Sequence, residues 1–208
     1  MDKQQIARKV LERLKKRYQL KTALTWKNAW ELLVATVLAA QCTDERVNKV
    51  TPVFFEKWPD PSKLANAEIE EVEKVIRSTG FFRNKARNLV NTAKILIEKY
   101  NGQVPKTMEE LVSLPGVARK TANIVLGNAF GIQEGIAVDT HVKRLAFRIG
   151  LTKNTTPNKV EQDLMKIFPK KEWSNVNHLL VYLGREVCKA RKPNCEKCPL
   201  NDICEKNI

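Results

Sequence analysis

At 208 residues, 43% of them hydrophobic, the chain can form one domain or two small ones, either with a real core. No apolar run approaches the roughly 18 residues needed to span a membrane. The first 20 residues are rich in charge and lack a signal-peptide apolar block, so the expectation is an intracellular protein. Its 37 Lys+Arg against 23 Asp+Glu give a net charge of +14 and a pI near 9.7, an electrostatic footprint for a polyanion. Charge alone does not separate DNA from RNA or from an anionic surface.

The pattern predicts an amphipathic helix over residues 3–18, with Ile6, Val10, Leu14 and Tyr18 on one face. After a break at 19–27, residues 28–41 are nearly all apolar and read as a helix buried on most sides. Thr43 or Asp44 can cap a following helix that carries Val47, Val50, Val53, Phe54 and Phe55, closed by Pro59 and Pro61. A helix fits 66–78, then a loop with adjacent Phe81 and Phe82, then a helix over 85–100. Thr107 with Glu110 is a capping-box spacing at the start of a helical hairpin, 107–130. Asp139 stands where an N-cap belongs, ahead of a helix over 140–149. Pro157 opens a helix reaching Phe168, and a last helix, about 174–188, runs into a cysteine cluster. No segment alternates with period two between hairpin turns, and the one short candidate, 135–138, is too brief to matter. The fold class is all-α.

Within the hairpin, Pro115 and Gly116 break one helix, and Ala122, Ile124, Val125, Leu126 and Ala129 give the next an apolar face. A helix start leaves N–H groups without partners behind a positive dipole end, which suits a phosphate, and Arg119 and Lys120 add two cations. An ordinary hairpin with a solvated basic turn accounts for the same residues. Four of the five cysteines follow C-x6-C-x2-C-x5-C, as Cys188, Cys195, Cys198 and Cys204, while Cys42 stands alone. Such clustering favours a metal site over disulfides, and the spacing leaves both zinc and an iron–sulfur cubane open. Taken singly, Lys120 is a surface or phosphate-binding lysine, Asp139 a helix cap and His178, among Val176, Leu179 and Leu180, a core residue.

The run Leu114-Pro115-Gly116-Val117-Ala118-Arg119-Lys120-Thr121-Ala122 resembles the helix-hairpin-helix signature of the endonuclease III family of DNA repair glycosylases. That signature is usually L-P-G-V-G-x-K-T-A, and Ala118 stands at its second glycine. Tolerance of alanine there predicts helical or near-helical angles. Val138-Asp139-Thr140-His141, the cysteine spacing with Pro193 and Pro199, and the turn Leu38-Ala39-Ala40-Gln41-Cys42-Thr43-Asp44 match further family motifs.

The resemblance implies a two-lobed helix-hairpin-helix fold, with residues 21–135 as one lobe, 1–20 with 136–208 as the other, and DNA in the cleft between them. It implies a [4Fe–4S] cluster on Cys188, Cys195, Cys198 and Cys204, within a loop over 188–204. Lys120 is the implied nucleophile and Asp139 the carboxylate that stabilises positive charge on the sugar. His141 is an orienting or capping group. Gln41 enters the space left by an extruded nucleotide, and Phe81 is a second wedge against the opposite strand. Leu114, Gly116, Ala118, Arg119 and Thr121 of the hairpin, with Lys189, Arg191 and Lys192 of the cluster loop, are the remaining expected DNA contacts. The implied activity is removal of oxidised pyrimidines from duplex DNA, joined to nicking at abasic sites by a monomer. Two alternatives stand beside it. Mismatch-type relatives typically lack the hairpin lysine, so Lys120 argues against them. A non-catalytic DNA-binding redox sensor has no need of the Lys120–Asp139 pair.

Overall fold

All regular structure in the computed structural model, which describes residues 1–208, is helical, and no strand forms. The contacts divide the chain into two units, one made of residues 22–132 and the other of residues 1–21 with 133–208.

The contiguous unit is built on α2 (Ala29–Leu38), whose residues from Trp30 to Leu38 are all buried. Asn28 starts it by accepting the Glu31 N–H at 2.9 Å. The helix stops at Leu38, three residues before the sequence pattern does. There the Ala40 N–H turns back to the Val37 carbonyl, which tightens the last turn, and Gln41 takes a left-handed φ of 54°. Thr43 then caps α3 (Asp44–Lys57) through the Arg46 N–H.

Pro61 opens a helix rather than only closing one. Capped by Asp60, it begins the short α4 (Pro61–Ala65), a place proline suits because the first N–H of a helix has no partner anyway. The helix expected over 66–78 is accordingly shorter, α5 (Ile69–Ile76), followed by a 3-10 turn at Arg77–Thr79. Helix α6 (Phe82–Tyr100) starts three residues early, because Phe81 is itself left-handed and its carbonyl takes the Lys85 N–H at 3.1 Å. Asn101 ends α6 in the same conformation, with the Gly102 N–H on the Leu96 carbonyl at 2.8 Å. α7 (Met108–Ser113) and α8 (Arg119–Ala129) form the hairpin. α2 packs against α8, α3 and α6, and α4 and α5 pack on α6, around Leu33, Phe54, Leu64, Ile76, Leu89 and Leu126.

The second unit joins the two ends of the chain. α1 (Lys3–Arg17) buries Ile6, Ala7, Val10, Leu11 and Leu14 against α10 (Pro157–Ile167) and α11 (Trp173–Glu186), while α9 (Thr140–Ile149) packs on both α10 and α11. Its polar edge is tied to the far end of the sequence. Arg13 bonds Asp202 through both guanidinium nitrogens and donates to the Pro199 carbonyl at 2.9 Å. Tyr18 stacks on Tyr182 with ring centroids 5.8 Å apart.

One substitution tests how tightly the hairpin is built. Gly116 sits at φ 77°, and a Cβ there would lie 2.7 Å from the Asn88 amide nitrogen. Gly131 has a φ of 69° with open space around it. Gly131→Ala should cost the left-handed strain alone, roughly 1 kcal/mol, and Gly116→Ala about 1–3 kcal/mol more from the collision. Equal losses in chemical denaturation would show that Asn88 yields freely.

Candidate functional site

The hairpin begins at Thr107, which accepts the Glu110 N–H at 3.3 Å and donates its hydroxyl to the Glu110 carboxylate at 2.7 Å. The box is therefore closed side chain to side chain. Across the turn the Leu114 N–H reaches the Leu111 carbonyl, and the Val117 N–H reaches the Leu114 carbonyl at 3.1 Å. Ala118 precedes α8 at φ −86° and ψ 165°. It is extended rather than helical, as the residue before a helix should be, and no positive φ asks for glycine. The signature's departure at this position thus carries no backbone strain.

No side chain caps α8, and the first N–H in its ladder is that of Ala122, on the Ala118 carbonyl. Lys120 and Thr121 lie ahead of that bond, at the positive end of the helix. Gly116, Ala118, Arg119 and Lys120 are exposed, and Thr121 is half-buried. Leu114 is not among the surface groups. It is 2% exposed and packs in the core, and its N–H and carbonyl both serve the turn.

Asp139 is the N-cap of α9, as its position ahead of residues 140–149 predicts. One carboxylate oxygen accepts the N–H groups of His141 and Val142 at 2.9 and 2.8 Å, and the other lies 3.1 Å from His141 Nδ1. The side chain keeps 16% of its surface exposed. His141 is held from behind by α11, because Gly184 leaves room for the ring; a Cβ there would stand 3.1 Å from His141 Cδ2. The segment leading into Asp139 is fixed by Asn177, whose amide donates to the Ala137 carbonyl at 2.7 Å. His178 is buried in the same helix, and burial lowers its pKa to about 4, which keeps it neutral.

The four clustered cysteines line one cavity, together with Arg148, Val187, Pro193 and Asn201. Thiolates around a single zinc ion would lie about 3.8 Å apart, from Zn–S bonds near 2.3 Å. No three cysteine, histidine or carboxylate side chains in the protein converge closely enough to hold one ion. An all-sulfur set spread around a cavity fits a multi-iron cluster instead. Burial raises the Cys198 and Cys204 thiols above their usual range, and the neighbouring cysteines push the same way. A cationic iron core held by these four thiols would offset that penalty.

Two arginines one turn apart on α9 shape this loop, and the sequence reading missed both. Arg148 donates to the carbonyls of Lys189 and Ala190 at 2.8 and 3.0 Å and reaches the Cys188 sulfur at 3.4 Å. Arg144 donates to the carbonyls of Gly184 and Cys188 at 3.2 and 3.0 Å. Their spacing of four residues on a helix flanking the cysteines was the available signal. Lys189, Arg191 and Lys192 stand exposed on the loop, with Lys192 at a left-handed φ of 54°.

Gln41 and Phe81 are both exposed, Phe81 at 62%, and both are left-handed. Phe82 instead packs against the core. A buried lysine near both turns, Lys85, is a third residue the sequence reading missed, although it lies in phase with Leu89 and Leu96 on the inner face of α6. Lys120, Gln41 and Phe81 belong to the contiguous unit, and Asp139 and the cysteines to the other.

Residues 34–170 match the family described as HhH-GPD superfamily base excision DNA repair protein, and residues 188–204 match the iron-sulfur binding domain of endonuclease III. Endonuclease III of Synechocystis sp. is 53% identical over 203 residues, covering 97% of this chain and 93% of that protein. Endonuclease III of Bacillus subtilis is 46% identical over 182 residues, with 87% and 83% covered. The solved structure of a trapped endonuclease III–DNA covalent intermediate superposes with a TM-score of 0.93 at 47% identity, over 99% of this chain and 97% of that one. A thermostable thymine-DNA glycosylase at 23% identity shares the fold, with a TM-score of 0.86. Similarity thus spans nearly the whole chain, including the hairpin, the aspartate that caps α9 and the loop of four thiols, and the chain belongs to the endonuclease III family, as a DNA-binding base-excision repair glycosylase and AP lyase with an iron–sulfur cluster.

Proposed function

We propose that Lys120 is the nucleophile and Asp139 the charge-stabilising carboxylate of a bifunctional reaction on duplex DNA carrying an oxidised pyrimidine. The protein acts as a monomer on damaged bases and on abasic sites. The observation that carries this reading is the uncapped, exposed start of α8 with Lys120 in its first turn. It offers an amine to solvent at a position that also draws phosphates.

The neutral Lys120 amine adds to C1′ of the extruded nucleotide. The C1′–N bond breaks, and its electron pair leaves with the base, which takes up a proton. Positive charge grows on the sugar as this happens. Asp139 meets it with a carboxylate already fixed by two N–H groups and His141, so no reorganisation is needed at the moment of reaction. After ring opening, Lys120 is joined to C1′ as a Schiff base. Loss of a C2′ proton then expels the 3′ phosphate with its bonding pair, and water releases the lysine. A solved endonuclease III–DNA complex described as a trapped covalent intermediate supports a reaction that passes through a covalent bond between protein and DNA.

Gln41 fills the vacated stack and Phe81 props the opposite strand. Gly116, Ala118, Arg119 and Thr121 hold phosphates at the hairpin. Cys188, Cys195, Cys198 and Cys204 hold the [4Fe–4S] cluster, which supplies a covalent staple for the loop that carries Lys189, Arg191 and Lys192 onto the phosphate backbone.

Lys120→Ala should abolish nicking and borohydride trapping while weakening binding by only a few-fold; full trapping by this variant would assign the nucleophile elsewhere. Asp139→Asn keeps a good cap, so its stability should change by less than about 0.5 kcal/mol. Release of thymine glycol should nevertheless slow by roughly 100-fold or more, the scale of losing a preorganised electrostatic contact, with nicking of preformed abasic sites less impaired. Near-parental base release by Asp139→Asn would reduce the residue to a cap.

Salt supplies the third test. Affinity for duplex DNA should fall linearly with salt on a log–log plot, and neutralising Lys189, Arg191 and Lys192 together should flatten the slope by up to roughly three units. An unchanged slope would remove this loop from the interface.

A further inference from the structure

Lys85 lies one turn into α6 and is 5% exposed. Lysine is almost never buried without a partner, because its ammonium loses its hydration on entering a core. Its Nζ donates to two main-chain carbonyls rather than to a carboxylate, those of Leu38 and Thr79, each at 2.8 Å. Burial lowers the pKa of this amine, with Cys42 in the Gln41 turn acting in the opposite sense. Leu38 ends α2 and Thr79 ends the 3-10 turn, so both oxygens are of the kind a helix leaves without an internal partner. A cation is favoured there by the negative end of the helix.

Each oxygen is followed within three residues by an exposed side chain on a strained backbone. Gln41, at φ 54°, follows Leu38, and Phe81, at φ 48°, follows Thr79. Residues other than glycine keep such angles only where the surrounding structure holds them. Two turns far apart in sequence are therefore pinned to one nitrogen, immediately ahead of their two left-handed residues.

We propose that Lys85 is a positioning residue that sets the spacing of Gln41 and Phe81, and so governs extrusion of the damaged nucleotide rather than the bond-breaking steps. This rests on the reading of Gln41 and Phe81 as inserted residues. Lys85 itself is buried beneath the turns and acts on DNA through them.

The test uses the cluster-loaded protein carrying Lys85→Met, which keeps the length of the stem and removes the donor. Two readouts separate extrusion from chemistry. One is single-turnover release of thymine glycol from a duplex, with 2-aminopurine beside the lesion to report unstacking. The other is borohydride trapping on a single-stranded oligonucleotide with a preformed abasic site, where no base pair must open. Lys85→Met should slow duplex excision and the 2-aminopurine signal by about tenfold or more, the scale of a small misplacement at a reacting group, and change trapping by less than about threefold. Lys85→Arg, which restores a cation and its donors, should recover much of the loss.

Because Lys85 acts through Gln41 and Phe81, adding Lys85→Met to a Gln41→Ala/Phe81→Ala protein should cost little beyond the loss already present. Equal losses in the duplex and single-strand assays, or a loss from Lys85→Met that multiplies with that of the Gln41→Ala/Phe81→Ala protein, would overturn the proposal in favour of a general structural role. Should Lys85→Met fail to fold, Lys85→Gln, which keeps a neutral donor on a shorter stem, is read in the same combined-variant comparison with the same two outcomes. If Gln41→Ala and Phe81→Ala each leave duplex excision and unstacking unchanged, the insertion reading itself falls. If they slow both while Lys85→Met does not, only the role of Lys85 falls.

Discussion

Burial of α2 on every side is the constraint from which the contiguous unit follows. A helix with no wet face must be surrounded, and α8, α3 and α6 surround it. Each of those neighbours carries part of the proposed functional apparatus. α8 brings the hairpin and Lys120, the turn into α3 carries Gln41, and α6 follows Phe81 and contributes Lys85. The apolar stripe thus fixes the scaffold on which a basic, polar surface is displayed. Substituting a large α2 residue such as Leu33 by alanine would disturb all three at once, with a loss of about 2–5 kcal/mol typical of core truncations.

The second unit solves a different problem, placing a carboxylate and four thiols with little flexibility. Asp139 spends two of its contacts on helix capping, and these same contacts hold the carboxylate in one orientation. The arginines of α9 do the corresponding work for the cysteine loop by taking its carbonyls, so the loop's shape is set by main-chain bonds as well as by sulfur ligation. A single helix therefore serves the carboxylate at its N-cap and the cysteine loop one and two turns later.

Much of this was legible in the sequence because it depends on periodicity and local caps. The stripe of α1, the helices expected over 85–100 and 140–149, the cap at Asp139 and the break at Gly116 are local facts that a linear reading captures. What it missed are contacts between distant segments. Lys85 looks like a solvated helical lysine until the carbonyls of Leu38 and Thr79 are brought to it, and Arg148 until the cysteine loop folds over α9. The burial of the Leu114 side chain was hidden too, because membership in a motif does not say which of its residues face inward. The end of α2 was also hidden. Ala39 and Ala40 favour helix, and the left-handed turn at Gln41 follows from packing rather than propensity.

The crosslink between Arg13 and residues 199 and 202 has a consequence for the order of events during synthesis. Residues 22–132 emerge from the ribosome as an uninterrupted block with a core of their own, and nothing in that core awaits later sequence. Helix α1 emerges ahead of that block, and the helices it packs against, α10 and α11, follow more than a hundred residues later. Its stripe of Ile6, Val10 and Leu14 must stay exposed throughout elongation. The exposed basic residues of its outer face, Arg8, Lys9, Lys15, Lys16 and Arg17, put like charges beside that stripe, and like charges disfavour self-association.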